Sequence, residues 1–436
     1  MSEPDKTNSS ETKYRQVIYD LSERIVAAQR PIRILDALKW NLEVQADFFK
    51  NEFRELPKVS GPEFYDQNPL KYDPEDKIDE FNQIERDIRR DLGQFNSVGG
   101  IMQRMCREYC TVVEMLKARG TTHFTRYAQQ LYGGSQDAFY AGAPTLQDLA
   151  VLISNTLDFI DAKTSGELDE KIYSSEDAVV VLGERLSAYF SEENGKSRVK
   201  ISDDIIADAA AGAEFIKIRS NNRFSEREMR VFEVHEGWVH LGTTLNGMEQ
   251  PVCTFLSKGP PSSTITQEGL AIIMEIFTFS SHPSRLQRLT DRITAIGMAE
   301  NGANFIEVFN FFREQGLSDT DSYGRATRVF RGSTAAGGPF TKDLVYNKGF
   351  ILIYNYIRLA IQRGLLSRIP LLFLGKTTLE DLHIFNDLVD EGLIVMPRHV
   401  PPQFKDLAAL SSWMCYSLFL NQLDLKRLAM EYKEIL

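Results

Sequence analysis

Two histidines five residues apart, His235 and His240 in His-Glu-Gly-Trp-Val-His, constrain this chain more than any other feature. The residues around them, Met229, Val231, Phe232, Val234, Trp238 and Leu241, have the apolar spacing of a helix. On a regular α-helix, side chains four apart differ by about 40° and side chains five apart by about 140°. Two imidazoles at this spacing therefore diverge unless the turn is wider. A π-bulge adds a residue to the turn and realigns such a pair. Gly237, inside the hexapeptide, costs a helix about 1 kcal/mol relative to Ala and eases that distortion. The helix is expected to begin at Ser225-Glu-Arg-Glu228, a capping box in which Ser225 caps backbone N–H groups and Glu228 reaches back.

Only 6 of 436 residues are His, so two in one hexapeptide suggest a shared task. Two imidazoles and a distant carboxylate can hold one metal ion, and Glu236 stands beside the first His to take a proton from water. Catalytic zinc keeps three protein ligands and an open fourth position. Glu268, in Thr266-Gln-Glu-Gly-Leu-Ala271, is the best third ligand, read as the first turn of an apolar helix over 267–279 capped by Thr266. Glu275, seven residues on, shares its face and could instead orient a ligand imidazole. The plainer reading makes the His helix a solvated face and Glu268 a helix-start acid on the dipole. His123, His282, His383 and His399 have no such context and receive no role.

At 43% hydrophobic and 25% charged, the chain reads as an ordinary soluble globular protein with ample core. Its net charge of -11 weighs against nucleic acid or an anionic membrane as partner, while leaving room for a local basic pocket. Cys106, Cys110, Cys253 and Cys415 form no disulfide framework, which suits a reducing compartment. No run reaches the ~20 apolar residues of a membrane span. Residues 350–360 come nearest, interrupted by Asn355 and Arg358. The opening residues lack the apolar core of a signal peptide, so a cytoplasmic protein is expected.

Three regions are expected: a loose tail at 1–13, a helical N-terminal region at 14–192, and a catalytic region at 193–436 packed with it as one unit. Periodicity predicts helices at 14–29, 35–48, 75–92, 98–119, 123–131, 146–160, 174–190, 284–298, 304–315, 348–363, 377–389 and 404–434. A Pro-rich loop is expected at 56–74 and a Gly-rich one at 332–338. Alternation predicts strands at 198–202 and 214–219, with 207–213 as their connection. The fold class is mainly α with a small β-sheet, α+β.

At His235-Glu-Gly-Trp-Val-His240 and Gln267-Glu-Gly-Leu-Ala271 the chain resembles the QEGLA-motif proteins, linked by name to modulation of flavohaemoglobin expression. These are related to the microtubule-associated tyrosine carboxypeptidases. Asn221-Asn-Arg-Phe-Ser225, Leu245-Asn-Gly247 and 340–346 also fit, and the resemblance runs from about residue 14 to the C-terminus. It implies a gluzincin-like metallopeptidase core with helical N- and C-terminal parts. It further implies zinc on His235, His240 and Glu268, Glu236 as general base, and cleavage of a peptide bond near a C-terminus.

Eukaryotic relatives trim tubulin tails, but nothing in this sequence shows a tubulin-binding surface. A carboxypeptidase needs a cation for the α-carboxylate and a donor for the oxyanion. Arg328, Arg331 and Lys342 are the expected substrate-binding residues, and Tyr346 the expected catalytic donor. The expectation is a zinc metallocarboxypeptidase acting on a peptide or protein C-terminus. The rival is a regulatory binding protein that keeps the metal as a staple, although such a site needs no base beside its ligand. An aminopeptidase or endopeptidase is a third reading.

Overall fold

Apolar residues recur at helical spacing through most of the chain, and the structure is built mainly of helices. It is a computed structural model describing residues 5–157, 160, 170–190, 198–203, 205, 207–433 and 435. The first helix is Asp5–Gln29. Of the expected tail, residues 1–4 lie outside the described residues, as does the expected region boundary at 192–193.

Helices Pro74–Leu92 and Ser97–Lys117 form an antiparallel pair with clear start signals. Asp73 accepts from the Glu75 and Asp76 N–H groups ahead of Pro74, and Asn96 accepts from Gly99. Their inner faces (Phe81, Ile84, Ile88; Ile101, Met105, Val112) bury against Ile18, Leu21 and Ile25 of the first helix. The same core continues through Val234 and Val239, Leu270 and Ile273, and the C-terminal Phe373, Phe385 and Phe404. The His helix is thus clamped between the N-terminal and C-terminal helices. A second, aromatic core joins Trp40, Phe48, Phe305, Phe309 and Phe330, with Phe48 meeting Phe309 edge to face at 5.1 Å.

The β structure is a two-stranded antiparallel pair, Tyr173–Ser174 with Arg223–Phe224, and a three-stranded sheet. Val199–Ser202 pairs parallel to Ile216–Arg219, and Ala209–Ala211 pairs antiparallel on the other side, as an edge. Both expected strands are present. The expected connection holds the third, which three alanines disguise because Ala is depleted in strands. The helix Asp319–Phe330 also escapes the sequence pattern. Ser318 caps it by accepting from Asp321, and its polar first half with Gly324 dilutes the periodicity.

Near residue 40 two helices replace the expected one, Ile34–Ala37 and Leu42–Lys50, because Asn41 caps a new start. The last expected helix divides into Pro402–Lys405, Leu407–Leu420 and Leu425–Glu431. No helix among the described residues is long and apolar enough to cross a membrane.

One correction bears on the site. The helix carrying Glu268 is Pro261–Phe277, with a proline at its start. Proline's fixed φ suits the first helical turn, so the Pro260-Pro261 pair opens this helix rather than a loop. Thr266 is a buried helix residue, not a cap. Glu268 lies in the helix interior, so the reading of it as a helix-start acid on the dipole fails. This helix crosses Val345–Gln362 at two glycines. A Cβ on Gly269 would lie 2.3 Å from the Gly349 carbonyl carbon, and one on Gly349 would lie 2.0 Å from the Ile265 oxygen. Only glycine lets the two backbones meet there.

Candidate metal centre

The His helix starts as the sequence predicts. Ser225 accepts from the Glu228 N–H, and Glu228 accepts from the Ser225 N–H, a complete capping box. After Val231 the α-helix widens into a π-helix over Phe232–Leu241. The expected single bulge is a run of ten residues. Bonds from i to i+5 bring residues five apart together, and the His235 and His240 ring centres lie 4.8 Å apart at 82°. Gly237 has a second reason to be glycine: a Cβ there would lie 2.3 Å from Leu186 Cδ2.

Glu268 Oε2 lies 3.3 Å from His235 Nε2 and 3.4 Å from His240 Nε2. Neither contact has hydrogen-bond geometry, and this buried oxygen has no hydrogen-bond partner. Atoms that come close without facing one another suit a shared centre. Ligands of one tetrahedral ion with bonds of about 2.1 Å stand about 3.4 Å apart, so the two distances fit. Ligand atoms of His235, Glu236 and His240 also lie within 4.8 Å of one another. Glu236 Oε1 is 3.9 Å from His235 Nε2, farther than Glu268, which makes Glu268 the better third ligand and leaves Glu236 beside the group. The other oxygen of Glu236 accepts from the Ala211 N–H at 2.7 Å. The edge strand thereby fixes the orientation of that carboxylate.

Behind His235, Glu275 Oε1 lies 2.7 Å from Nδ1 and is fully buried. Arg285 donates to both Glu275 oxygens, at 2.8 and 3.1 Å. Burial opposes ionisation of Glu275, but Arg285 and His235 hold its carboxyl down at about 2. An ionised Glu275 accepts the Nδ1 hydrogen and leaves Nε2 as the ring nitrogen that faces Glu268. Burial also disfavours charge on His235, yet the neighbouring carboxylates of Glu268, Glu275 and Glu236 push it up to about 9. Burial acts against Glu268 too, and the charge of His240 leads the interactions that hold it well below the usual range. Three carboxylates thus gather around two imidazoles, and one of them, Glu275, is already paired with Arg285.

The other residues of the two motifs hold this arrangement together. Lys376 Nζ donates to the His240 carbonyl at 3.0 Å and to Gln267 Oε1 at 2.9 Å, bridging the π-helix to the Glu268 helix. Burial brings Lys376 down to about 7. Leu270 and Ala271 are core. Asn246 Nδ2 donates to the Phe373 and His399 carbonyls, both at 2.8 Å, anchoring the helix exit.

Of the expected substrate residues, Tyr346, Lys342 and Arg328 interact with His235 or Glu268, while Arg331 packs against Phe340. The Tyr346 ring runs along His235, centres 6.3 Å apart at 26°. Burial, with Glu268 nearby, pushes its phenol up to about 12, so it remains an O–H donor. Lys342 is half-buried and feels the charge of Glu268, although burial lowers its pKa. Arg328 donates to both oxygens of Asp343, at 2.8 and 2.9 Å. Arg331 is buried with its guanidinium 5.5 Å over the Phe340 ring, and burial lowers it to about 10.

Arg285, Arg292 and Lys376 are the site residues the sequence reading missed. Arg285, Arg288 and Arg292 recur three and four apart on helix Pro283–Glu300, a basic stripe that was legible as one helix face. Lys376 gave no signal.

Comparison with curated proteins returns no match. Residues 46–422 match the family described as microtubule-associated tyrosine carboxypeptidase. That span covers most of the 436 residues, and the protein therefore belongs to the microtubule-associated tyrosine carboxypeptidase family.

Proposed function

We propose that this protein is a zinc-dependent metallocarboxypeptidase that releases a C-terminal residue from a peptide or protein. Its Gln267-Glu-Gly-Leu-Ala271 segment groups it, in this reading, with the QEGLA-motif branch, and its core is gluzincin-like. The observation that carries the reading is Glu268 Oε2 within 3.3 and 3.4 Å of the two imidazole nitrogens without hydrogen-bond geometry, and Glu236 alongside. His235, His240 and Glu268 would hold the ion. Bound zinc supplies Lewis acidity toward the carbonyl and lowers the pKa of water.

The chain's own residues account for the remaining chemistry. Glu236, fixed by the Ala211 N–H, takes a proton from the attacking water and passes it to the leaving amine as the C–N bond breaks. Tyr346 donates its O–H to the oxyanion. The basic cluster of Arg292, Arg328, Arg331 and Lys342 supplies the positive charge that attracts the α-carboxylate. The family's name speaks of tyrosine and microtubules, and a C-terminal tyrosine is the first residue to test. The location in this reading is cytoplasmic.

The test compares zinc-loaded wild type and Glu236→Gln on peptides ending in Tyr, as free acid and as amide. The expected result is cleavage of the acid only, with Glu236→Gln slower by about 10²–10⁴-fold at unchanged zinc content. Equal rates in the two proteins, or no cleavage across a broad peptide library, would favour the binding-protein alternative.

A further inference from the structure

The basic cluster near Tyr346 carries more positive charge than its surroundings answer. Asp343 is the carboxylate among Arg292, Arg328, Arg331 and Lys342; burial opposes its ionisation, yet Arg328 and Arg292 hold it far below the usual range. Buried cations are paired in stable proteins, so an unanswered group marks where an anion belongs.

The arginines differ in how far they are already engaged. Arg285 is spent on Glu275, and Arg328 on Asp343, each through two hydrogen bonds. Arg325 lies 3.8 Å from Asp291. Arg288 and Arg331 each keep a buried Nε without a hydrogen-bond partner, but Arg331 is only 7% exposed and sits over Phe340, and neither stacks on Tyr346 as Arg292 does.

Arg292 is placed differently. Its nearest carboxylate, Asp343, is 3.9 Å from Nε, and its buried Nη1 has no hydrogen-bond partner. Its guanidinium carbon lies 4.5 Å over the Tyr346 ring, whose centre is 6.3 Å from that of His235. The guanidinium is therefore within about 11 Å of the imidazole. One residue of chain spans about 3.5 Å, and a polar contact of about 3 Å at each end gives a comparable reach. The Arg292 side chain keeps 20% of its surface open, so a ligand can reach it.

We propose that Arg292, stacked on Tyr346, is the residue that binds the substrate's terminal α-carboxylate, with Arg328 serving to hold Asp343. This assignment rests on the carboxypeptidase reading above. It makes Arg292 the origin of any preference for a free C-terminus. Its planar fork suits a carboxylate bidentately, which Lys342 cannot match.

The experiment uses the full chain as wild type, Arg292→Gln and Arg292→Lys, with folding checked by circular dichroism. Isothermal titration calorimetry measures N-acetyl-tyrosine and N-acetyl-tyrosinamide, each with and without zinc. Wild type should bind the acid at least about tenfold tighter than the amide, as charged hydrogen bonds contribute. Arg292→Gln should bring the two within about twofold, and Arg292→Lys should recover part of the preference. Retention of the tenfold preference by Arg292→Gln overturns the assignment, and so does absence of any preference in wild type. Peptide cleavage is scored separately. Cleavage by wild type with an acid preference surviving in Arg292→Gln sinks only the Arg292 assignment. No cleavage, with a preference that Arg292→Gln abolishes, sinks only the peptidase reading.

Discussion

Gly269→Ala offers the sharpest test of how the site is held together. The new Cβ would lie 2.3, 2.4 and 2.7 Å from the Gly349 carbonyl carbon, oxygen and Cα, where 3.4–4 Å is ordinary contact. All three atoms are backbone, so no rotamer change relieves the overlap. The helices Pro261–Phe277 and Val345–Gln362 must separate by about 1 Å, because a close-packed interior has no slack. Overpacking of this kind costs about 1–3 kcal/mol. The better helix propensity of Ala returns about 1 kcal/mol.

Net destabilisation of up to roughly 2 kcal/mol follows, a melting temperature lower by as much as several degrees. Glu268 is the adjacent residue, and metal–ligand distances tolerate only about 0.2 Å. Zinc affinity, measured by chelator competition, should fall more than about tenfold. Gly324→Ala is the control. It lies inside helix Asp319–Phe330 with nothing within 4 Å of the added Cβ, so it should stabilise by about 0.5–1 kcal/mol. If Gly269→Ala melts at or above wild type with unchanged zinc affinity, the reasoning is wrong.

Two further outcomes are expected. Glu275→Gln should weaken zinc binding by about 10–100-fold in the same chelator assay, because it removes the charge that orients His235. Asp343→Asn should destabilise the protein by about 3 kcal/mol at neutral pH, since it leaves Arg328 without its carboxylate. The folded pKa of Asp343 is depressed, so its contribution is present above the unfolded value near ~3.9 and is lost as pH falls below that. The difference in melting temperature between wild type and Asp343→Asn should therefore shrink below about pH 4, and a constant difference down to pH 3 would count against the ion pair.

The legible parts of this protein were those whose signal is local. The capping box at Ser225–Glu228 and the helix pair 74–92 and 97–117 carry their start signals and periodicity in contiguous residues. The spacing of His235 and His240 required a widened turn, and the π-helix supplies it, because backbone geometry links residue spacing to direction. Other features failed for identifiable reasons. The Ala209–Ala211 strand has the wrong composition for its conformation, and the sheet imposes it through pairing with Ile216–Arg219. The start of the Glu268 helix was misread because Pro260-Pro261 can open a helix as well as interrupt one.

The sequence by itself picked out the residues that meet at the candidate centre: two imidazoles, the acid beside the first, and the acids on an apolar helix. It also determined that the His helix could not be regular. Tertiary structure alone decided that Glu268 meets both imidazoles, that Glu275 and Arg285 stand behind His235, and that Arg328 is taken by Asp343. Those pairings depend on where separate helices cross. The crossing is set by close packing at Gly269 and Gly349, eighty residues apart in the chain, a contact that no local pattern encodes.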